Sequence, residues 1–392
     1  MIWTIWVVFC KEAVENLRDR RSVFSALLFG PLFGPVLFVA LIILMTEIET
    51  ERSEQRLVLP IVGSEHAPNL VHYLEQQGVV AEPAPSDPEA SVRAHEEDLV
   101  LIIPKSFGDQ FKQARAATVT LVLDRSRQAT MTKVKRISTL LERYGAQIGA
   151  LRLQARGIDP GVVRAIYIDQ RDLSTAESRS ATVLAMLPYF VMMALFIGGM
   201  YLAIDTTAGE RERGSIEALL ITPPTRWALM TGKLCATTAF ALLSLALTLL
   251  MFSLSAPFIP TENLGIEIAL GWDKCVLLFL ITAPIALLAA ATQTIIAAFS
   301  RGFREAQTYI SLLVFIPLLP SLMQMLVPVK PELWMFAIPI FSQNLLIEQT
   351  LRNESLETTG IVLALITTAG LGLGLAWIAA RLYRREQLLY SS

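Results

Sequence analysis

The densest run of groups able to make charge-assisted contacts lies between Asp205 and Arg226, where four acids and three arginines are interleaved with glycine, serine and threonine. Glu210, Arg211, Glu212 and Arg213 follow one another directly, and Gly214 comes next. Gly214 can take the left-handed conformation that ends a helix. Ser215 can cap a new one, with Glu217 in its first turn favoured by the helix dipole. Ile216, Leu219 and Leu220 give that short helix an apolar face, and Pro223-Pro224 stops it. A capped mini-helix with a greasy face and charged flanks suits docking on another protein. An ordinary solvated loop also carries charge runs, and each exposed ion pair is worth only about 0–1 kcal/mol.

The residues of enzyme chemistry are sparse. His66, His72 and His95 have no metal-ligand spacing and lie far from Cys10, Cys235 and Cys275, so no metal site is expected. There is no G-x-S-x-G elbow. Gly232-Lys233 is followed by Leu234, and position 227 is Trp, so no phosphate-cradling loop is present. The chain is therefore read as no enzyme, with no cofactor of its own. Inside or at the edge of long apolar runs the candidate oxygen ligands are Asp205, then Thr292, Gln293 and Thr294, and finally Gln343 and Asn344. They could ligate a hard cation or line a substrate path. The same groups serve equally as interhelical hydrogen-bond partners.

The elements that must position these residues are membrane helices. The chain has 392 residues, 53% apolar and only 17% charged, against about 25% charged in soluble domains. A net charge of −2 gives no reason to expect nucleic acid as partner. Six runs without Asp, Glu, Lys or Arg are long enough to cross a bilayer: residues 22–46, 180–204, 234–261, 275–300, 306–329 and 358–380. A seventh, 333–347, is short, has Pro339 at its middle, and reads as re-entrant or interfacial. None of the six contains Asp, Glu, Lys, Arg or His, which counts against a carrier driven by protonation.

Thirteen Lys and Arg of the short connecting segments fall on the side of both termini and three on the other. That asymmetry places both termini, the loop 205–233 and the tail 381–392 in the cytoplasm, in a bacterial-type inner or plasma membrane. Residues 1–21 read as an amphipathic interfacial helix with Ile2, Trp6, Phe9, Ala13 and Leu17 on its apolar face, or else as an untidy start to the first span.

Residues 47–179 then form one extracytoplasmic domain. Strands are predicted at 57–63, 98–104 and 118–123, helices at 69–77 and 105–114, and a proline-rich loop at 82–89. This is a small, partly parallel α/β layer. A long helix follows, with Val134, Ile137, Leu141, Tyr144, Ile148 and Leu151 in a stripe that seats on the domain or on a second copy of it.

At this point the segment 203–226, AIDTTAGERERGSIEALLITPPTR, resembles the signature of type-2 ABC transporter permeases. KEAVENLRDRRS, LIIPKSFGDQF and LPYFVMMALFIGGMYLAIDTTAGERERGS occur in the expected order, and the fuller pattern is similar to the permease of sodium-efflux ABC exporters. The resemblance implies a polytopic α-helical membrane protein of type V exporter-like fold. Six transmembrane helices would carry the α/β extracytoplasmic domain between helices 1 and 2. It implies a homodimer in a 2+2 assembly with a cytosolic ABC ATPase subunit, which holds the ATP and Mg2+. On this reading Glu210, Arg211, Glu212, Arg213, Ser215, Ile216, Glu217 and Leu220 form the ATPase-facing coupling helix. Efflux of Na+ is implied; a hydrophobic drug, lipid or lipid-linked substrate, or a non-transporting signalling or assembly role, are the alternatives.

Overall fold

The computed structural model describes residues 2–54, 57–124, 128–163, 184–215, 225–259, 270–327 and 329–382. They fall into two compact units, residues 1–48 with 173–392, and residues 49–172.

Among the described residues of the first unit, six helices are long and apolar enough to cross a membrane: Gly30–Ile48, Leu184–Glu212, Arg226–Phe258, Trp272–Phe299, Phe303–Gln324 and Thr358–Leu382. They are numbered here as the first to sixth spans. The second is apolar all round, the pattern of a helix enclosed by others. Of its most apolar stretch 78% is buried, against 22% for the fifth span and 17% for the sixth. Close approach to the third span is possible because Gly198 and Gly199 carry no side chain. A Cβ on Gly198 would lie 2.4 Å from Cβ of Ser244, and one on Gly199 would lie 3.0 Å from Cγ2 of Thr237. Small residues at such contacts let backbones meet and gain dispersion energy where lipid supplies no hydrophobic drive.

Three spans depart from uniform α-helix. Phe24–Phe29 is π-helical just before the first span, where Pro31 lacks an N–H and its ring would strike the carbonyl four residues back. Widening the turn removes that clash. The fifth span consists of Phe303–Leu313 and Leu318–Leu326, with Pro317 at the joint, so residues 306–329 are not one continuous helix. The second span is π-helical over Asp205–Gly209. Residues 333–347 resolve into a 3-10 turn, Leu333–Ala337, and the start of helix Phe341–Leu351. At about 1.5 Å per residue, neither piece can cross a bilayer.

The N-terminal helix Ile2–Arg18 seats on the third span. A Cβ on Gly232 would lie 2.7 Å from Cβ of Val8 and 3.0 Å from the Ile5 carbonyl. Phe9 and Ala13 of the apolar face pack partly against Leu202, Ala236 and Phe240. Ile2, Trp3, Trp6 and Leu17 are exposed, whereas the fully buried residues of this helix are Glu12 and Asn16.

The second unit holds a four-stranded sheet of order β2-β1-β3-β4, with β1 Leu57–Val62, β2 Val79–Pro83, β3 Leu99–Ile102 and β4 Thr120–Leu123. β1 runs parallel to β2 and β3, and β4 closes antiparallel to β3. The predicted loop 82–89 is therefore shorter: Glu82 and Pro83 belong to β2, and Pro88–Arg93 is a helix capped by Asp87. Edge position explains the proline, since an edge strand can spare an N–H. The long helix Gln128–Gln154 buries Ile137 and Leu140 in the domain core, with Val134, Leu141 and Tyr144 packed beside them. Lys133 adds an ion pair to Asp98 at 2.6 Å. Leu151, at the far end of the stripe, is 60% exposed.

Candidate functional site at the end of the second span

The π-turn at Asp205–Gly209 sets the geometry. Thr206 donates its hydroxyl to the Leu202 carbonyl at 2.7 Å, and Thr206, Thr207, Ala208 and Gly209 are all buried. From the third span Lys233, only 2% exposed, donates to the Thr206 carbonyl at 2.8 Å and pairs with the Glu210 carboxylate. An ammonium this deep is tolerable only with such partners.

The neighbouring charges are engaged in the same way. Arg211 donates to the Ala298 carbonyl at 2.7 Å and the Ser300 carbonyl at 2.9 Å. It thus closes the C-terminal end of the fourth span, where orphan carbonyls and the helix dipole favour a cation. Glu212 accepts the Phe303 N–H at 2.8 Å, the mirror arrangement at the N-terminal end of the fifth span. Arg213 donates to the Asp205 carboxylate at 2.8 Å. Gly214 is left-handed, with φ +69°, and Ser215 donates its hydroxyl to the Glu210 carbonyl at 3.1 Å. Ile216, Glu217 and Leu220 lie outside the described residues.

Glu12, 3% exposed, faces this group from the N-terminal helix. Burial pushes its carboxyl above the ordinary range; the charges of Lys233 and Lys11 pull it back down, and Glu210 pushes it up again. Lys11 reaches the Glu12 carboxylate at 3.3 Å. Beside the cluster opens a cleft of about 500 Å³, lined by Lys11, Glu15, Asn16, Asp205, Glu210 and Arg213 among others.

The intramembrane candidates are placed apart from it. Thr292 and Thr294 donate back to the Leu288 and Ala290 carbonyls at 2.7 and 2.8 Å. Gln293 donates to the Phe196 carbonyl on the second span at 2.6 Å. Gln343 accepts the Ile340 N–H at 2.8 Å and donates to Thr368 at 2.7 Å; Asn344 donates to Ser321 at 2.7 Å. Gln343 thereby holds Ile340 at φ +72°, a strained conformation for a β-branched residue. Of the six substrate-path candidates, only Asp205 borders the 500 Å³ cleft. The others make interhelical or intrahelical hydrogen bonds, and Gln293 Oε1 is buried without a hydrogen-bond partner among the described residues.

Sequence reasoning passed over Glu12 and Lys233. Lys233 was counted as a charge of the loop, yet Met230, Leu234 and Thr237 at helical spacing around it mark a position inside the helix. Glu12 had no comparable signal, because its burial depends on which face of the N-terminal helix is seated.

The pattern described as ABC-2 family transporter protein matches residues 25–381. The ABC transporter permease protein NatB of Bacillus subtilis (strain 168) is 28% identical over 369 residues, which cover 92% of this chain and 94% of that protein.

Proposed function

The chain belongs to the ABC-2 family of transporter proteins, and from that premise we propose that it exports substrate under the drive of a separate cytosolic ATPase. Two copies pair with two ATPase subunits, which bind the ATP and Mg2+. The segment from Ser215 through Ile216, Glu217 and Leu220 docks on the ATPase, both termini are cytoplasmic, and residues 47–179 lie on the far side of the bilayer. The exposed apolar face of the N-terminal helix, Ile2, Trp3 and Trp6, rests in the lipid interface.

One observation carries this reading. The residues immediately before the docking segment grip three other helices: Glu210 holds the third span through Lys233, Arg211 the end of the fourth, and Glu212 the start of the fifth. A displacement of residues 215–220 is thus delivered to four spans at once. In this mechanism Glu210–Arg213 act within the permease body and residues 215–220 act on the ATPase.

Na+ is the proposed substrate, on the strength of the resemblance. The test is ATP-dependent uptake of radioactive Na+ by inside-out vesicles containing the chain and its ATPase; absence of flux beside an active ATPase refutes Na+. A second reading, an apolar or amphiphilic substrate, is favoured by the hydrogen bonds of Thr292, Thr294, Gln343 and Asn344, whereas the buried Gln293 Oε1, with no hydrogen-bond partner among the described residues, favours a cation. The second reading predicts ATPase stimulation by a lipophilic cation in the same vesicles without Na+ movement.

A further inference from the structure

In the second unit a cleft of about 370 Å³ separates the helix Phe107–Lys112 from the long helix Gln128–Gln154. Its floor is apolar and aromatic, with Phe107 stacked on Phe111 at 5.7 Å and Tyr144 and Ile148 opposite. Its rim carries Arg115 and Arg152, and among the described residues no Asp or Glu lines it. Arg152 lies 4.7 Å above the Phe111 ring and donates to the Phe111 and Arg115 carbonyls at 2.9 and 3.2 Å. Three of the five guanidinium N–H groups remain beyond those two bonds. Arg115 is exposed and its guanidinium bonds to no described residue. It is carried to the rim by Ala114, held at φ +59°, a conformation that costs a non-glycine residue about 1–2 kcal/mol.

The long helix is unusually bare here. Gly145 and Gly149 line the cleft, and a Cβ on either would meet nothing within 4 Å. Internal packing therefore does not require glycine at these positions, and each costs the helix about 1 kcal/mol relative to alanine. The space they leave continues into a second cleft of about 610 Å³ that shares Gly145, Gly149 and Arg152 and adds Arg156.

An apolar bed bounded by cations with no countercharge selects an amphiphilic anion. We propose that this cleft binds a single-chain amphiphilic carboxylate, its chain against Phe107, Phe111, Tyr144 and Ile148 and its head at Arg115 and Arg152. The volume is at the low end of the roughly 300–1,000 Å³ typical of small-molecule sites, which suits one chain rather than a two-chain lipid. This site stands whether or not the transport reading above holds.

The test uses the full chain in a neutral maltoside detergent, a diazirine-bearing decanoate as probe, and mass-spectrometric mapping after irradiation. Saturable labelling within residues 107–119 and 141–152, displaced by decanoate and not by decanol, is the expected result. Arg115→Glu should weaken it at least about tenfold, the loss of one charge-assisted contact. Gly149→Leu should abolish it while size-exclusion behaviour stays unchanged and the melting temperature does not fall, since that side chain enters empty space and replaces a poor helix former. The proposal is overturned if decanol competes as well as decanoate, if either variant labels normally, or if anionic phospholipid vesicles compete more strongly than decanoate. It is equally overturned if wild-type chain resists labelling because a second copy covers the cleft, shown by labelling that appears only on dilution to monomer.

Discussion

Replacing Lys233 by Met removes the cation that faces Glu210, and the structure sets the size of the effect. The side chains of Lys233 and Glu210 are 2% and 9% exposed, so solvent cannot replace the lost partner. Breaking a buried pair from one side costs about 3–5 kcal/mol. Glu12, also buried and coupled to Lys233, loses the same compensation, which argues for the upper part of that range. At about 2–4 °C per kcal/mol for a unit of this size, the apparent melting temperature should fall by roughly 6–20 °C. Lys11, whose side chain is 52% exposed, supplies the control: Lys11→Met should cost no more than about 1 kcal/mol. Combining Lys233→Met with Glu210→Leu replaces the pair by apolar side chains and should restore most of the loss. The assay is thermal aggregation of detergent-solubilised protein followed by size exclusion. If Lys233→Met melts with the wild type, or if the double variant is no better than the single, the buried pair is not what joins the second and third spans.

The other predictions concern neighbouring contacts. Burial raises the Glu12 carboxyl above its ordinary value of 4.5, so the folded state holds that proton more tightly than the unfolded chain. Its contribution is therefore fully present below the unfolded value and lost as pH rises through the folded one; Glu12→Gln should melt higher than wild type at neutral pH and show a flatter acid-side profile. Arg211→Lys should lower the melting temperature much as Arg211→Ala does, since a point charge cannot span the Ala298 and Ser300 carbonyls as the planar fork does; full rescue by Lys would refute the bidentate role. Gly63→Ala should destabilise the second unit by several kcal/mol, because its Cβ would lie 2.3 Å from the Ile103 carbonyl oxygen at φ +75°; limited proteolysis between residues 57 and 124 reads this directly. Glu217→Lys with Leu220→Asp should leave the protein in the membrane and weaken co-purification with its ATPase by at least about tenfold, the worth of one lost apolar anchor; undiminished co-purification and ATPase rate would refute the docking assignment.

Apolar runs made the spans legible because length alone separates a membrane helix from a core helix. What resisted reading was local and has particular causes. Pro317 divides the fifth span although no charge interrupts its apolar run. β2 hides behind Pro83 and Glu82, tolerable because its outer edge is unpaired in the sheet. In the second unit the stripe of the long helix left two seats open; Ile137 and Leu140 show that its first half is satisfied within the domain. Glu12 escaped because amphipathic patterning assigns a carboxylate to the wet side of a helix, whereas here it is buried, with the third span's Lys233 offsetting only part of the cost.

The run Glu210–Arg213 shows why a charge cluster at a helix end can be read two ways. Successive residues of an α-helix point about 100° apart, so four in a row sweep the whole circumference. On a helix with one wet face, such a run must leave some members in solvent. The second span is the most enclosed of the six, yet its end is graded: Glu210 is buried, Arg211 half-buried, and Glu212 and Arg213 are exposed. Glu210 finds Lys233, Arg211 finds the carbonyls of the fourth span, Glu212 finds Phe303, and Arg213 turns back to Asp205. The two acids and two arginines sum to no net charge, and only Glu210, compensated by Lys233, carries the cost of full burial. The alternation therefore lets a largely enclosed helix end be held in register by the third, fourth and fifth spans while its outer members still reach solvent.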